Sequence, residues 1–201
     1  MINPHRPRTF LQALEAMAEE APDEGLSLLA LFDRLDERAF GAGLFVLALP
    51  CAIPFLYGVP QVVALPMLFL TLQMVAGRDE PWLPGRVSGR MIDREGLTKT
   101  AKFGRKWFGW LETLAHPRLL ILSSKPSERI LALFLTGFCA SVLLPVPGTN
   151  TVPGIAVAIA AFGLMARDGL LILLGLVIGT AWLTTLVFGG AQVFSFFAGL
   201  I

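Results

Sequence analysis

The sequence predicts an all-α integral membrane protein built on two short proline-broken helical hairpins, a possible internal repeat, with a C-terminal span and interfacial amphipathic helices. Three observations predict it. Of 201 residues, 55% are apolar and only 15% charged, against about 25% charged in an ordinary soluble domain. The charge is also segregated, because residues 39–77, 130–166 and 169–201 contain no Asp, Glu, Lys or Arg. A wet surface is hard to build around three such blocks. Finally, the first two blocks carry prolines near their middles: Pro50, Pro54, Pro60 and Pro66 in one, Pro145, Pro147 and Pro153 in the other. Proline removes a backbone donor and breaks a helix.

Residues 1–38 form an amphipathic N-terminal region with four basic and eight acidic side chains. Phe10, Leu14 and Met17 share one helical face. After a break at Pro22–Gly25, Leu28, Phe32 and Leu35 repeat that spacing, and Ser27 is placed to cap the second helix. Both helices are expected to lie on the membrane or on the protein's own core. Met1–Thr9 is polar, with Arg6 and Arg8, so no cleavable signal peptide is expected and insertion would rely on the blocks.

The blocks 39–77 and 130–166 are each too long for one span and short for two. A helix crossing ~30 Å of hydrocarbon needs ~20 residues, whereas two arms and a turn leave about 17 per arm, some 26 Å. Backbone groups freed by proline in lipid must be satisfied by protein or by water in a cavity, so both hairpin tips are expected to face protein. The blocks also resemble each other. Pro54 and Pro60 are six residues apart, as are Pro147 and Pro153, and the blocks end in Arg78-Asp79 and Arg167-Asp168. Paired broken helices in two halves point to a central transporter site; coincidence of proline spacing is the alternative.

Residues 78–129 carry eleven basic and six acidic side chains, net +5, with Lys99, Lys102, Arg105 and Lys106 interleaved among Phe103, Trp107, Phe108 and Trp110. Such a helix suits an anionic lipid interface, and the positive-inside rule makes the region cytoplasmic. Hairpins that enter and leave on one side would be parallel repeats. Inverted repeats would need an odd number of crossings between them, for example through Leu119–Leu122. In the last block, 169–201, Gly189-Gly190 is the expected break between one full span and a shorter helix. Gly175 and Gly179 form a GxxxG motif for close packing, within the chain or across a dimer seam.

Little here suggests bond chemistry. The three blocks hold no carboxylate or histidine, and no G-x-S-x-G, HExxH or P-loop pattern occurs. The pair Glu112 and His116 reads as a local contact ahead of Pro117. Cys51 and Cys139 read as small core residues, without a CxxC, so neither an enzyme, a metal site nor a cofactor is expected. Net charge +1 gives no field for nucleic acid. Asn150, between Thr149 and Thr151, either caps the helix starting near Val152 or contacts substrate at a half-helix terminus. Tyr57, Gln61 and Gln73 are the polar groups of the first hairpin. The Arg-Asp pairs are either interfacial ion pairs or groups that attract an anionic solute or lipid headgroup. The candidate substrate-binding residues are therefore Pro54, Gln61, Gln73, Pro147, Asn150, Pro153, Arg167 and Asp168. Lys102, Arg105, Lys106, Trp107 and Trp110 are the candidate lipid or interface residues.

Gln73 with Trp82-Leu83-Pro84, Leu111-Glu112 before His116-Pro117-Arg118, Leu144-Pro145-Val146-Pro147 with Asn150 and Pro153, and Gly163-Leu164 with Arg167-Asp168-Gly169 occur in this order. In these motifs, over about residues 25–185, the chain resembles the exopolysaccharide synthesis protein ExoD family. Gly148-Thr149 departs from it, where an aromatic is expected after the second proline. The resemblance implies a bacterial inner-membrane protein linked to exopolysaccharide production, and implies no reaction. The leading expectation is a multi-pass transporter or permease with a site between the hairpins, partnered by the lipid bilayer and forming a homodimer. The rival is a non-transporting scaffold or regulator of polysaccharide assembly, in which residues 99–110 bind lipid or a partner. An enzyme acting on lipid-linked sugars ranks last.

Overall fold

Thr9 opens the first helix with a capping box. Its hydroxyl accepts from Gln12 N–H, and the Gln12 side chain accepts the Thr9 N–H at 3.1 Å. The computed structural model describes residues 9–54, 56, 58–144 and 150–198, with backbone alone at 37, 123 and 190–198. Helix α1 (Phe10–Glu20) buries Leu11, Leu14, Met17 and Ala18 against α6 (Arg94–Leu114). Between them, Gly25 at φ +88° lets the chain press on the Ile92 carbonyl, where a Cβ would collide. That contact supports a two-residue antiparallel ladder, with β1 (Leu26–Ser27) against β2 (Met91–Ile92), which follows the one-turn helix α5 (Gly85–Ser88). Ser27 then caps α2 (Leu28–Leu35), its hydroxyl accepting Ala30 N–H at 3.1 Å.

A 3-10 turn (Asp36–Arg38) leads into four helices that form the centre: α3 (Ala39–Cys51), α4 (Val59–Val75), α7 (Lys125–Val142) and α8 (Thr151–Ala166). Pro60 and Pro153 do not break these helices. They occupy the first turns of α4 and α8, where the missing N–H has no intrahelical partner to lose. Pro50 and Pro66 lie inside α3 and α4.

The two hairpins, α3–α4 and α7–α8, point their tips the same way. Cys51, at the end of α3, has its Sγ 3.9 Å from the Pro60 carbonyl, and a Cβ on Gly154 would come within 2.6 Å of the Cys51 backbone. At the far end, a Cβ on Gly41 would meet the Ala161 carbonyl at 2.9 Å, and Gly77 lies under the Arg129 guanidinium. Hence α3 runs antiparallel to α8, and α4 to α7, the pairing that a two-fold along the bundle would require. Small residues let these backbones meet, and eleven of the sixteen residues of α8 are buried. Phe45 stacks edge-on with Phe108, centroids 5.1 Å apart, joining α6 to this centre.

Helix α9 (Gly169–Ala198) returns antiparallel to α8. A Cβ on Gly175 would meet the Ala156 carbonyl at 2.6 Å, and one on Gly179 would strike the Phe138 ring. The GxxxG face is therefore spent inside the chain. The expected break at Gly189-Gly190 is absent, because α9 runs through it; glycine costs about 1 kcal/mol in a helix and does not end one alone.

The polytopic membrane architecture is overturned. The helices form an all-α bundle with extensive long-range packing, and among the described residues one segment, Gly169–Gly189, is long and apolar enough to cross a bilayer. The helices α3, α4 and α8 have 13, 17 and 16 residues, about 20–26 Å at 1.5 Å per residue. Charge-free composition misled because a short apolar run is also what a buried core helix needs. The multi-pass inner-membrane location falls with it, as does the cytoplasmic placing of residues 78–129, since the positive-inside rule needs spans to orient. The lipid bilayer as partner goes too. The homodimer is corrected as well: it was expected from few internal interfaces, whereas the helices pack extensively on one another, and of the two uses left open for the GxxxG motif it takes the one within the chain. Apolar side chains do remain exposed on the outer faces of α4 (Val62, Leu65, Leu72) and α9 (Leu173, Leu174, Val177).

Candidate functional site

The residues proposed to bind substrate fall at two opposite ends of the bundle. Pro54, Gln61, Asn150 and Pro153 belong to the tips; Pro147 lies outside the described residues. Pro54 is exposed in the turn, and Pro153 is buried. Asn150 is buried but makes no side-chain cap on α8, and its Oδ1, like Gln61 Oε1, is enclosed without a hydrogen-bond partner among the described residues. The helices behind these tips meet backbone to backbone through Gly154. Transport through a site between the hairpins is overturned with that geometry.

Gln73 and Asp168, at the other end, are structural clamps. Gln73 holds both backbone groups of Trp82: its Oε1 accepts the Trp82 N–H at 2.6 Å and its Nε2 donates to the Trp82 carbonyl at 3.2 Å. Asp168 is fully buried and accepts from Arg118 Nε at 3.1 Å, His116 N–H at 3.0 Å and Leu170 N–H at 3.0 Å. Burial pushes its carboxyl up, but the Arg118 hydrogen bond and then the two backbone donors hold it below the ordinary carboxylate range. Gly169 N–H closes the junction onto the Arg118 carbonyl at 2.8 Å. Arg167 adopts the left-handed conformation that ends α8. Arg118 was the partner missed in the sequence. Glu112 makes no ion pair with His116 among the described residues; it accepts the Leu11 N–H at 2.7 Å, at the start of α1.

The aromatic-basic helix divides into two faces. Inward, Leu97 and Ala101 are buried, and Arg105 pairs with Glu15 of α1 through Nε–Oε1 at 2.7 Å. That hydrogen bond, partly offset by desolvation, raises the Arg105 guanidinium further above neutrality. Outward, Phe103, Trp107, Trp110 and Leu114 stand 56–59% exposed, spaced as one helical stripe. Lys102 and Lys106 are exposed beside them. The Trp110 indole N–H is satisfied by the Trp107 carbonyl at 2.9 Å, so it needs no polar partner from outside the helix.

A cleft of about 230 Å³ opens at the end of the bundle away from the tips, lined by Phe40, Met74, Gly77, Arg78, Asp79, Lys125, Glu128 and Arg129. Lys125 pairs with Asp79; that hydrogen bond lowers the Asp79 carboxyl and raises the Lys125 ammonium. Burial pushes the Glu128 carboxyl above its usual range, with Lys125 pulling it back and Asp79 pushing it further. Of these residues, the sequence reading had singled out only Arg78-Asp79. The signal for Lys125, Glu128 and Arg129 was their position just ahead of the second charge-free block. Among the described residues, no cluster of three or more His, Cys, Asp or Glu is placed to hold a metal ion.

Fold and surfaces together define an all-α bundle protein with a packed centre, whose accessible chemistry sits on an outer helix and in one end cleft. Residues 10–188 match the family described as "Exopolysaccharide synthesis, ExoD". The chain belongs to that family. An uncharacterized protein of Synechocystis sp. is 35% identical over 140 residues, a match covering 67% of this chain and 65% of that protein. Protein ExoD of Rhizobium meliloti is 28% identical over 170 residues, covering 82% of this chain and 70% of that protein. The match thus spans somewhat under two thirds of the first relative's length. No solved structure matches the chain significantly.

Proposed function

We propose that this chain is a regulator or scaffold of exopolysaccharide assembly, acting by docking a partner protein on the outer face of α6. The observation that carries this reading is the exposed stripe Phe103, Trp107, Trp110 and Leu114 beside Lys102 and Lys106. Aromatic residues flanked by cations are the composition of interface anchors, and an unpartnered apolar stripe of this length marks an interaction surface. The matching partner carries an apolar ridge bordered by acidic side chains. Family membership supplies the link to exopolysaccharide. The reading assigns no bond chemistry to the chain itself.

The test is complementation of a deletion strain, with exopolysaccharide output and protein level measured together. Trp107→Ala with Trp110→Ala, and separately Lys102→Glu with Lys106→Glu, are expected to drop output to the deletion level at unchanged protein level. Wild-type output from both double variants would overturn the reading. Arg105 is left out of these variants, because its ion pair with Glu15 holds α1 on α6.

A further inference from the structure

The end cleft has a chemical balance that neither the bundle's packing nor the α6 face explains. Its lining combines Phe40 and Met74 with the cations Arg78, Lys125 and Arg129 and the carboxylates Asp79 and Glu128. Asp36 adds a further carboxylate within electrostatic reach of Lys125. Only Lys125 and Asp79 are paired among the lining residues. Arg78, Arg129 and Glu128 enter no ion pair among the described residues, so donors and an acceptor both remain open toward the cleft. Arg129 is also deliberately placed. Its guanidinium lies over Gly77, at φ +76°, in the space a Cβ would fill.

We propose that this cleft binds one neutral sugar ring, a monosaccharide or the end residue of a polysaccharide chain. The sugar class rests on the exopolysaccharide reading above. An anionic ligand would face Glu128 and Asp79, and a cationic one would face two guanidiniums. A polyhydroxylated neutral ligand satisfies both sets, since each hydroxyl donates once and accepts twice, and its C–H face lies on Phe40 and Met74. Size agrees: 230 Å³ corresponds to about seven or eight waters at roughly 30 Å³ each, the room for a single ring. Arg78 and Arg129 donate to ring or hydroxyl oxygens, while Glu128 accepts from a hydroxyl.

The experiment is saturation-transfer NMR on the purified full chain, titrating glucose, galactose, glucuronate, glucosamine and inorganic phosphate, with thermal unfolding recorded for each variant. A neutral hexose is expected to bind saturably in the millimolar range, ahead of glucuronate, glucosamine and phosphate. Arg78→Ala and Glu128→Gln should each weaken it fivefold or more without moving the melting temperature. Gly77→Ala, which displaces Arg129, should abolish it. Trp107→Ala should leave hexose binding unchanged, so failure of the docking reading and failure of this one are separable. The proposal is overturned if no neutral hexose binds, if glucuronate or phosphate binds more tightly, or if both Arg78→Ala and Glu128→Gln bind as the wild type does.

Discussion

Replacing Asp168 by alanine tests whether the family's last motif is a structural clamp. The carboxylate accepts the backbone N–H groups of His116 and Leu170 and the Arg118 Nε, with no part of its own side chain exposed. The substitution leaves two part-buried N–H groups without acceptors, about 1–3 kcal/mol each. Arg118 is 46% exposed and regains water, so its lost ion pair adds at most about 1 kcal/mol. The sum is about 2–7 kcal/mol, a large share of the roughly 5–15 kcal/mol that holds a domain folded. For a chain of this size each kcal/mol is about 2–4 °C, so the loss corresponds to about 5–25 °C in Tm. Asp168→Asn keeps one acceptor and should lose about half as much; Arg118→Ala should lose less than Asp168→Ala. Urea unfolding followed by circular dichroism measures all three. A loss below about 1 kcal/mol in Asp168→Ala would refute the argument, because it would mean that the two N–H groups are already solvated in the wild type.

The same carboxylate gives an acid limb. Its folded value lies below its unfolded value, so its contribution is complete above the unfolded value, near 3.9, and fades as pH falls through the folded one. The urea midpoint should therefore drop below pH 4 in the wild type by more than in Asp168→Asn. Burial pushes the Cys51 and Cys139 thiols up to about 11 and about 12. At pH 8 neither should react with iodoacetamide until urea unfolds the chain, and mass spectrometry reports both. Gly154→Ala places a Cβ 2.6 Å from the Cys51 backbone, whereas Gly43→Ala meets side chains alone, the end of Leu70 at 3.1 Å and the Phe32 ring at 3.4 Å. The first should cost about 1–3 kcal/mol in unfolding free energy, and the second clearly less; equal losses would contradict the direct contact of α3 with α8.

Local signals were legible where their physics is local. The spacing of Phe10, Leu14 and Met17, the break at Pro22–Gly25 and the Ser27 cap each depend on a few neighbours, and α1 and α2 sit there. The proline pairs were visible but ambiguous, since a proline that breaks a helix and one that starts it read alike until the turn is located. Block composition could not say whether an apolar helix meets lipid or another helix. In α3 and α8 the answer lay in Gly41 and Gly154, whose hydrogen side chains let two backbones touch. The site suffered from distance. Arg118 finds Asp168 across 50 residues and Lys125 finds Asp79 across 46, and no motif spacing encodes either pairing. Within α6, the outward stripe was readable as aromatic and basic, but which residues face out followed from α1 covering the other side.

That covering helix has a consequence for synthesis. Leu11 and its acceptor Glu112 are 101 residues apart. At about 5–20 residues per second, α1 emerges from the ribosome roughly 5–20 s before the segment that receives its apolar face. Throughout that interval Leu11, Leu14 and Met17 have no native cover. The carboxylates spaced among and after them, Glu15, Glu19, Glu20, Asp23 and Glu24, keep the waiting segment hydrated and repel a second nascent copy. Two of the five are then drawn into ion pairs with α6, Glu15 with Arg105 and Asp23 with Arg94, while Glu19, Glu20 and Glu24 enter none among the described residues. The acidic surplus of the N-terminal region thus serves the nascent chain more than the finished one.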